Sequence, residues 1–111
     1  MRKQLQLGEF EEIILLTVGI LDGNAYGVSI RDEIENRLGR QVSVGALQTT
    51  LRRLEKKGFL GSQHGESSES RRGRPKLFFS LTPLGKRSLE YVRGTRNDLW
   101  NALPQSIVNL S

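Results

Sequence analysis

The chain has 111 residues, of which 36% are hydrophobic, and its 17 basic and 12 acidic side chains give a formal net charge of +5. That length suffices for one domain with its own core, and the positive charge favours a polyanionic partner. With no cysteine and a single histidine, His64, the sequence excludes disulfides, structural zinc and cysteine–histidine catalysis.

The first helix is predicted from about residue 9 to residue 21. Apolar side chains cover a wide arc of this segment, EFEEIILLTVGIL, so it should lie in the core. Its early glutamates Glu9, Glu11 and Glu12 suit the positive end of the helix dipole, and they interrupt the apolar run that a signal peptide would need. No apolar run approaches the roughly 20 residues of a membrane-spanning helix, so we expect a cytoplasmic protein.

A second helix should begin at Asn24, a good capping residue, after the turn formed by Asp22 and Gly23. Glu33 and Arg37 are spaced to pair across one helical turn, and Gly39 should end the helix. The apolar positions repeat every four residues, at Tyr26, Ile30, Ile34 and Leu38. One face of this helix should therefore pack inward.

The third helix lies in the segment from residue 42 to residue 60, VSVGALQTTLRRLEKKGFL. Leu47, Leu51 and Leu54 fall on one stripe and should face the core, with Ser43 as N-cap and Gly58 just past the end. The opposite face carries Gly45, Thr49, Arg52 and Lys56, with Gln48 and Arg53 at its edges. Small and hydrogen-bonding residues followed by cations are typical of a helix that enters a DNA groove.

A β wing is predicted after this helix, with strands near residues 59–64 and 76–81. The loop between them ends in the basic cluster RRGRPK at residues 71–76. Residues 52–76 hold eight basic and three acidic side chains, whereas residues 1–30 hold two basic and four acidic ones. Positive charge is thus concentrated in the third helix and the wing. In the second strand Phe78 should point away from Phe79, which leaves an exposed aromatic ring without an explanation.

A last helix should start with Thr82 as N-cap and Pro83 as first residue, and should run to about Leu103. Its apolar stripe continues beyond the length that the rest of the domain can cover, so a symmetric dimer is expected through Leu89, Val92, Leu99 and Leu103. The prediction is therefore a mainly α (α+β) chain. It has a winged helix-turn-helix DNA-binding domain at residues 1–82 and a C-terminal dimerisation helix and tail at residues 83–111.

Four segments together resemble the PadR family of bacterial winged helix-turn-helix transcriptional regulators: LGEFEEIILLTVGIL, AYGVSIRDEIENRLG, SVGALQTTLRRLEKKGFL and RPKLFFSLTPLGKRSLE. The resemblance covers roughly residues 7–93. It implies a homodimer that binds a partly palindromic operator, usually as a repressor, and that dimerises through its C-terminal helix. The family commonly has tyrosines where this chain has Gln48 and Phe79, which implies different contacts at these positions. Multidrug-binding relatives stack planar aromatic ligands on a tryptophan of this helix, and Trp100 resembles it in location.

The candidate DNA-binding residues are Ser43, Gly45, Gln48, Thr49, Arg52, Arg53, Lys56, Arg71, Arg72, Arg74 and Lys76. The amide of Gln48 can bond adenine in a bidentate manner, or it can be bonded within its own protein. Arg53 and Lys57 can equally be solvated and paired with Glu55 or a nearby acid. Trp100 is a candidate contact for a planar aromatic effector, with the dimer core as the alternative role. No cofactor, metal or catalytic residue is expected.

Three other functions compete with operator binding. An enzyme is disfavoured because no two catalytic groups recur at a useful spacing. A winged helix that binds RNA should expose aromatic rings on its sheet, and only Phe78 qualifies. A winged helix that binds another protein should have an apolar outer face on the third helix, which Thr49, Arg52 and Lys56 contradict.

Overall fold

The computed structural model describes residues 5–65 and 75–111. The elements in chain order are α1 (Glu9–Leu21), α2 (Gly27–Leu38), α3 (Val44–Lys56), β1 (Leu60–His64), β2 (Leu77–Leu81), α4 (Pro83–Asn101) and α5 (Gln105–Val108). This order, with an antiparallel β1–β2 pair, confirms the mainly α winged helix-turn-helix fold. No helix within the described ranges is both long and apolar enough to cross a membrane.

The start of α2 differs from the prediction. Its N-cap is Tyr26 rather than Asn24, and the Asn24 carbonyl oxygen instead accepts a hydrogen bond from Ser29 Oγ at 2.7 Å. The same Oγ accepts the Tyr26 N–H at 2.9 Å, which fixes the entry into the helix. Ala25, between these two residues, has extended backbone that pairs with Phe79 of β2. This non-local pairing delays the start of the helix by two residues.

The turn between α2 and α3 follows local signals in the sequence. Gly39 ends α2 with a φ of 64°, a conformation that glycine adopts without strain, and its N–H donates to the Glu35 carbonyl at 2.9 Å. The Glu35 carboxylate then accepts the Val42 N–H at 2.9 Å. Ser43 caps α3 as predicted, since its Oγ accepts the Ala46 N–H at 3.2 Å.

The core is formed where α1, α2 and α3 meet the inner side of the sheet. The predicted inner face of α3 is fully enclosed. The buried apolar residues around it include Ile14, Leu15, Val18, Ile30, Ile34, Leu47, Leu51, Leu54, Phe59 and Phe79. Leu38, predicted to face inward, is instead 51% exposed and lines an open pocket with Leu16 and Ile20 of α1.

The two strands of the wing pair in antiparallel register, from Leu60 opposite Leu81 to His64 opposite Leu77. Beyond the strands the Gly65 N–H donates to the Lys76 carbonyl at 2.8 Å. The Phe79 N–H donates to the Ala25 carbonyl at 2.7 Å, so the segment before α2 pairs with β2 through a single antiparallel bridge. The base of the wing is thereby attached to the helix-turn-helix.

Helix α4 begins as predicted and packs on its own core for only about half its length. Thr82 Oγ1 accepts the Gly85 N–H at 3.0 Å and donates to the Gly58 carbonyl at 2.6 Å. Ser88 Oγ donates to the Leu5 carbonyl at 2.8 Å, and Val92 is buried. Every residue from 93 to 111 is exposed in the single chain, although the helix continues to Asn101. After Pro104 the tail forms α5, where the sequence supported no prediction.

The first turn of α4 lies so close to the end of α3 that only glycine fits at position 85. A Cβ on Gly85 would lie 2.2 Å from the Phe59 carbonyl oxygen, whereas one on Gly94 of the same helix would meet nothing within 4 Å. We therefore expect Gly85→Ala to lower the free energy of unfolding by about 1–3 kcal/mol, as overpacking does. The control Gly94→Ala should leave it unchanged or raise it by up to about 1 kcal/mol. Urea unfolding measures both, and equal stability of the two variants would contradict the close packing.

Candidate nucleic-acid interface

The outer face of α3 is free of the core. All predicted DNA-contact residues on α3 and its N-cap are exposed: Ser43, Gly45, Gln48, Thr49, Arg52, Arg53 and Lys56. Because Leu47, Leu51 and Leu54 are held inward, this face has one fixed orientation. It presents small and polar groups in the first two turns and cations in the third and fourth. Such a surface can approach a groove closely and meet phosphates at its far end.

The four cations at the end of α3 divide into two pairs. Arg53 Nε lies 3.2 Å and Lys57 Nζ lies 2.8 Å from the same oxygen of Glu11 on α1. Arg52 and Lys56 form no ion pair within residues 5–65 and 75–111, so their charge is available to a partner. Sequence reasoning had considered Glu55 for Arg53 and Lys57. The carboxylate of Glu55 instead accepts a hydrogen bond from Ser62 on β1.

Glu11 is a carboxylate with only 9% of its side chain exposed. Burial acts to raise its pKa, but the ammonium of Lys57, the Gly8 N–H at 2.8 Å and the guanidinium of Arg53 outweigh burial. The pKa of Glu11 therefore lies below its ordinary value. The sequence predicts only that Glu11 complements the dipole of α1, whereas in the structure it also links α1 to α3. A separation of 46 residues from Lys57 leaves no local signal of this contact.

Gln48 lies beside the first residue of α2. It makes no hydrogen bond within the described part of the chain, so its amide is not bonded to its own protein there. A Cβ on Gly27 would lie 3.3 Å from Gln48 Nε2, closer than an ordinary van der Waals contact. The glycine therefore leaves the space that the amide occupies.

The base of the wing is held by an aromatic contact that explains Phe78. The rings of Tyr26 and Phe78 meet edge to face, with centroids 5.5 Å apart and planes at 72°. Lys76 Nζ lies 4.1 Å from the centroid of the Tyr26 ring, in a cation–π contact. Lys76 is thus placed next to α2. Of the predicted wing cations, Arg71, Arg72 and Arg74 lie outside the described residues. Tyr26 was missed as a site residue because its spacing fitted a core position.

The predicted dimerisation residues divide along α4. Leu89 packs partly against the core and Val92 is buried, whereas Leu99 is 68% exposed and Leu103 is 38% exposed. Trp100 is 63% exposed. A groove of about 360 Å³ runs along this side of α4, between the helix and the segment before α1; its lining residues include Tyr91, Val92, Thr95 and Leu99.

Comparison with known proteins identifies this arrangement. The sequence model described as the transcriptional regulator PadR-like family matches residues 15–91, from within α1 into α4. The chain belongs to this family. Among proteins of curated function, none matches the PadR-like chain significantly.

Solved structures share the fold of this PadR-like regulator. The complex of hsRosR-S4 has a TM-score of 0.70 at 23% identity and covers 94% of this chain and 84% of its own. A PadR-like transcription factor from Bacteroides fragilis has a TM-score of 0.70 at 25% identity, covering 83% and 84% of the two chains. Bacillus subtilis PadR in complex with operator DNA has a TM-score of 0.62 at 20% identity, covering 77% of this chain and 46% of its own.

The Glu11 contact predicts a pH-dependent contribution to stability. Because the folded protein lowers the pKa of Glu11, the contribution is complete above the pKa of the unfolded carboxyl group and is lost as pH falls through the lower folded value. At neutral pH Glu11→Gln should lower the free energy of unfolding by about 1–3 kcal/mol, less than for a fully buried pair because both cations are partly solvated.

Urea unfolding at a series of pH values measures this effect. The difference between wild type and Glu11→Gln should shrink as the medium becomes acidic. Glu9→Gln, on the same helix but largely exposed, is the control and should change little at any pH. A difference that persists unchanged in acid would show that the carboxylate charge is not the cause.

Proposed function

We propose that this PadR-like protein is a sequence-specific DNA-binding transcriptional regulator that acts as a homodimer on a palindromic operator and represses transcription there. The observation that carries the proposal is the outer face of α3, which is exposed, fixed in orientation and, within residues 5–65 and 75–111, without an ion pair at Arg52 and Lys56 or a side-chain hydrogen bond at Gln48. The operator complex of the B. subtilis protein, which shares the fold, supports DNA as the ligand.

Within the proposed interface the contacts have different tasks. Ser43, Gly45 and Thr49 allow close approach to the groove, and Gln48 reads a base pair through its amide. Arg52 and Lys56 bind backbone phosphates, together with Lys76 and the predicted wing residues Arg71, Arg72 and Arg74. Arg53 is a weaker candidate for a phosphate contact than the sequence suggests, because Glu11 neutralises part of its charge. About half of its side chain stays exposed.

Exposed apolar surface on two parts of the chain supports the proposed homodimer. Leu99, Trp100 and Leu103 project from the free half of α4, and Leu16 and Ile20 are exposed on α1. Soluble monomers rarely expose contiguous patches of this kind. A second copy can cover both surfaces at once by packing its own α4 against them, and two-fold symmetry then makes the contact reciprocal.

The two-fold symmetry of the proposed dimer implies that its operator is palindromic. A two-fold dimer that reads two successive major grooves places its recognition helices about 34 Å apart, one duplex turn. Each half-site is then read by one copy of α3, and the two half-sites run in opposite directions along the duplex. Repression is the simpler regulatory outcome because a dimer that occupies a promoter excludes polymerase without any further contact.

The wing argues against the RNA alternative. Phe78 was the one ring available for stacking on an unpaired base, and it is half-buried, in edge-to-face contact with Tyr26. The protein-binding alternative requires an apolar outer face on α3, and that face carries Gln48, Thr49 and Arg52. Duplex DNA is thus the ligand that the described surface fits best.

Selection of bound duplexes from a random pool, followed by affinity measurements, tests the DNA proposal. A dimer that contacts some 6–10 phosphates should lose affinity by about 10³–10⁵ between roughly 50 and 200 mM salt. Arg52→Ala should weaken all sequences alike, whereas Gln48→Ala should lose about 1–3 kcal/mol of discrimination at one base pair per half-site. Failure of the wild type to enrich any sequence would exclude operator recognition.

The dimer proposal is tested by sedimentation of a charged variant. Leu99→Asp combined with Leu103→Asp places carboxylates in the proposed interface, where burial of charge is costly, and should give a folded monomer. Gln63→Glu, which adds a carboxylate at an exposed position of β1 outside the proposed interface, is the control and should remain a dimer. A wild-type monomer at micromolar concentration, or a dimer of the double variant, would contradict the proposal.

Trp100 has two candidate roles within this dimer. Its exposed indole can fill the interface, or it can stack a planar aromatic effector that changes the spacing of the recognition helices and releases the operator. Quenching of its fluorescence by planar aromatic compounds, together with loss of operator affinity, supports the effector role. Loss of dimerisation in Trp100→Ala with no quenching of the wild type assigns Trp100 to the interface.

A further inference from the structure

Three consecutive residues before and at the start of α2 contact both the base of the wing and α3. The Ala25 carbonyl accepts the Phe79 N–H of the wing strand, and the Tyr26 ring packs on Phe78 and Lys76. Gly27 then lies against the amide of Gln48 on α3. Residues 25–27 therefore hold the wing and border the side chain proposed to read a base.

We propose that Gly27 is a positioning residue that determines base specificity by leaving open the space that the Gln48 amide occupies. This inference rests on the proposed DNA-binding function. Gly27 need not touch DNA in this role, because it acts through the position of Gln48.

Backbone conformation does not account for glycine at this position. The positive-φ glycines of the described chain are Gly23, Gly39 and Gly58, so Gly27 has an ordinary backbone that any residue can adopt. Alanine would be favoured there by helix propensity. What distinguishes glycine is the missing Cβ, which would lie 3.3 Å from Gln48 Nε2.

A methyl group at Gly27 should move the Gln48 amide without unfolding the protein. Carbon contacts are optimal at about 3.5–4.0 Å, so the amide must retreat by a few tenths of an ångström. Gln48 is exposed and forms no side-chain hydrogen bond with the described residues, which makes this movement inexpensive. A bidentate contact to adenine needs two hydrogen bonds of good length and angle together, so a small movement weakens it.

The test compares wild type, Gly27→Ala, Gln48→Ala and the double variant by duplex selection and by affinity for the selected site and its single-base variants. Gln48→Ala should reduce discrimination at its base pair by about 5- to 150-fold, the range of one bidentate contact. Gly27→Ala should reduce it at the same base pair by at least about threefold, and should have no further effect in the Gln48→Ala background. Gly19→Ala, where a Cβ makes an ordinary 3.8 Å contact with Leu81, is the matched control and should keep the wild-type preference.

Each other outcome identifies which statement fails. If Gln48→Ala changes the preference and Gly27→Ala does not, the positioning role is wrong while the proposed function stands. If Gly27→Ala lowers the affinity for all sequences equally, Gly27 makes room for the DNA backbone and the inference is overturned. If Gln48→Ala leaves the preference unchanged, Gln48 reads no base and Gly27 has nothing to position. A wild type that selects no duplex overturns the proposed function itself.

Discussion

The structure depends on the burial of one face of α3. Leu47, Leu51 and Leu54 are almost completely enclosed, and each such side chain contributes about 1.5–3 kcal/mol by leaving water. Together they match a large part of the 5–15 kcal/mol by which a whole domain of this kind is stable. Rotation of the helix by one residue, about 100°, would move polar side chains such as Gln48 and Arg52 toward the core, at a high cost in desolvation. The orientation of the outer face is therefore a consequence of the core.

Electrostatics at the end of α3 impose a second constraint. Four cations occur within six residues, from Arg52 to Lys57, and like charges at this spacing repel one another. Glu11 offsets this repulsion by binding Arg53 and Lys57 from the neighbouring helix α1. Arg52 and Lys56, which form no ion pair in the described part of the chain, lie on the outer face. One carboxylate thus stabilises the domain and neutralises the two cations that contact α1.

The elements that could be predicted from sequence are those determined by neighbouring residues. The bounds of α1, the caps Ser43 and Thr82, and the glycine that ends α2 all follow from local hydrogen bonding or backbone conformation. The prediction was wrong at the start of α2 because Asn24 is a good local cap, whereas Ala25 is needed for a bridge to Phe79, more than 50 residues away along the chain.

Parts of the candidate site could not be predicted for the same reason. The contacts of Glu11 with α3, of Tyr26 with Phe78 and of Gly27 with Gln48 join residues that only the tertiary fold brings together. Periodicity indicates which face of a helix is apolar or basic, but it contains no information on which distant side chain meets that face. The polar and basic outer face of α3 was recognisable from its pattern, and the distant residues that contact this helix were not.

The free half of α4 shows the limit of what a single chain can stabilise. Isolated helices shorter than about 12–15 residues are marginal in water, and most helical stability in proteins comes from packing of an apolar face. From residue 93 onward every residue of α4 is exposed in the described part of the chain, and Gly94 lowers the intrinsic helix propensity by about 1 kcal/mol. A helix that continues to Asn101 under these conditions would gain stability from a partner that covers its apolar side chains. In the proposed dimer that partner is the second copy, so association would order this helix and set the distance between the two recognition helices in one step. Operator affinity would then depend on protein concentration through dimerisation, in addition to the contacts made by each α3.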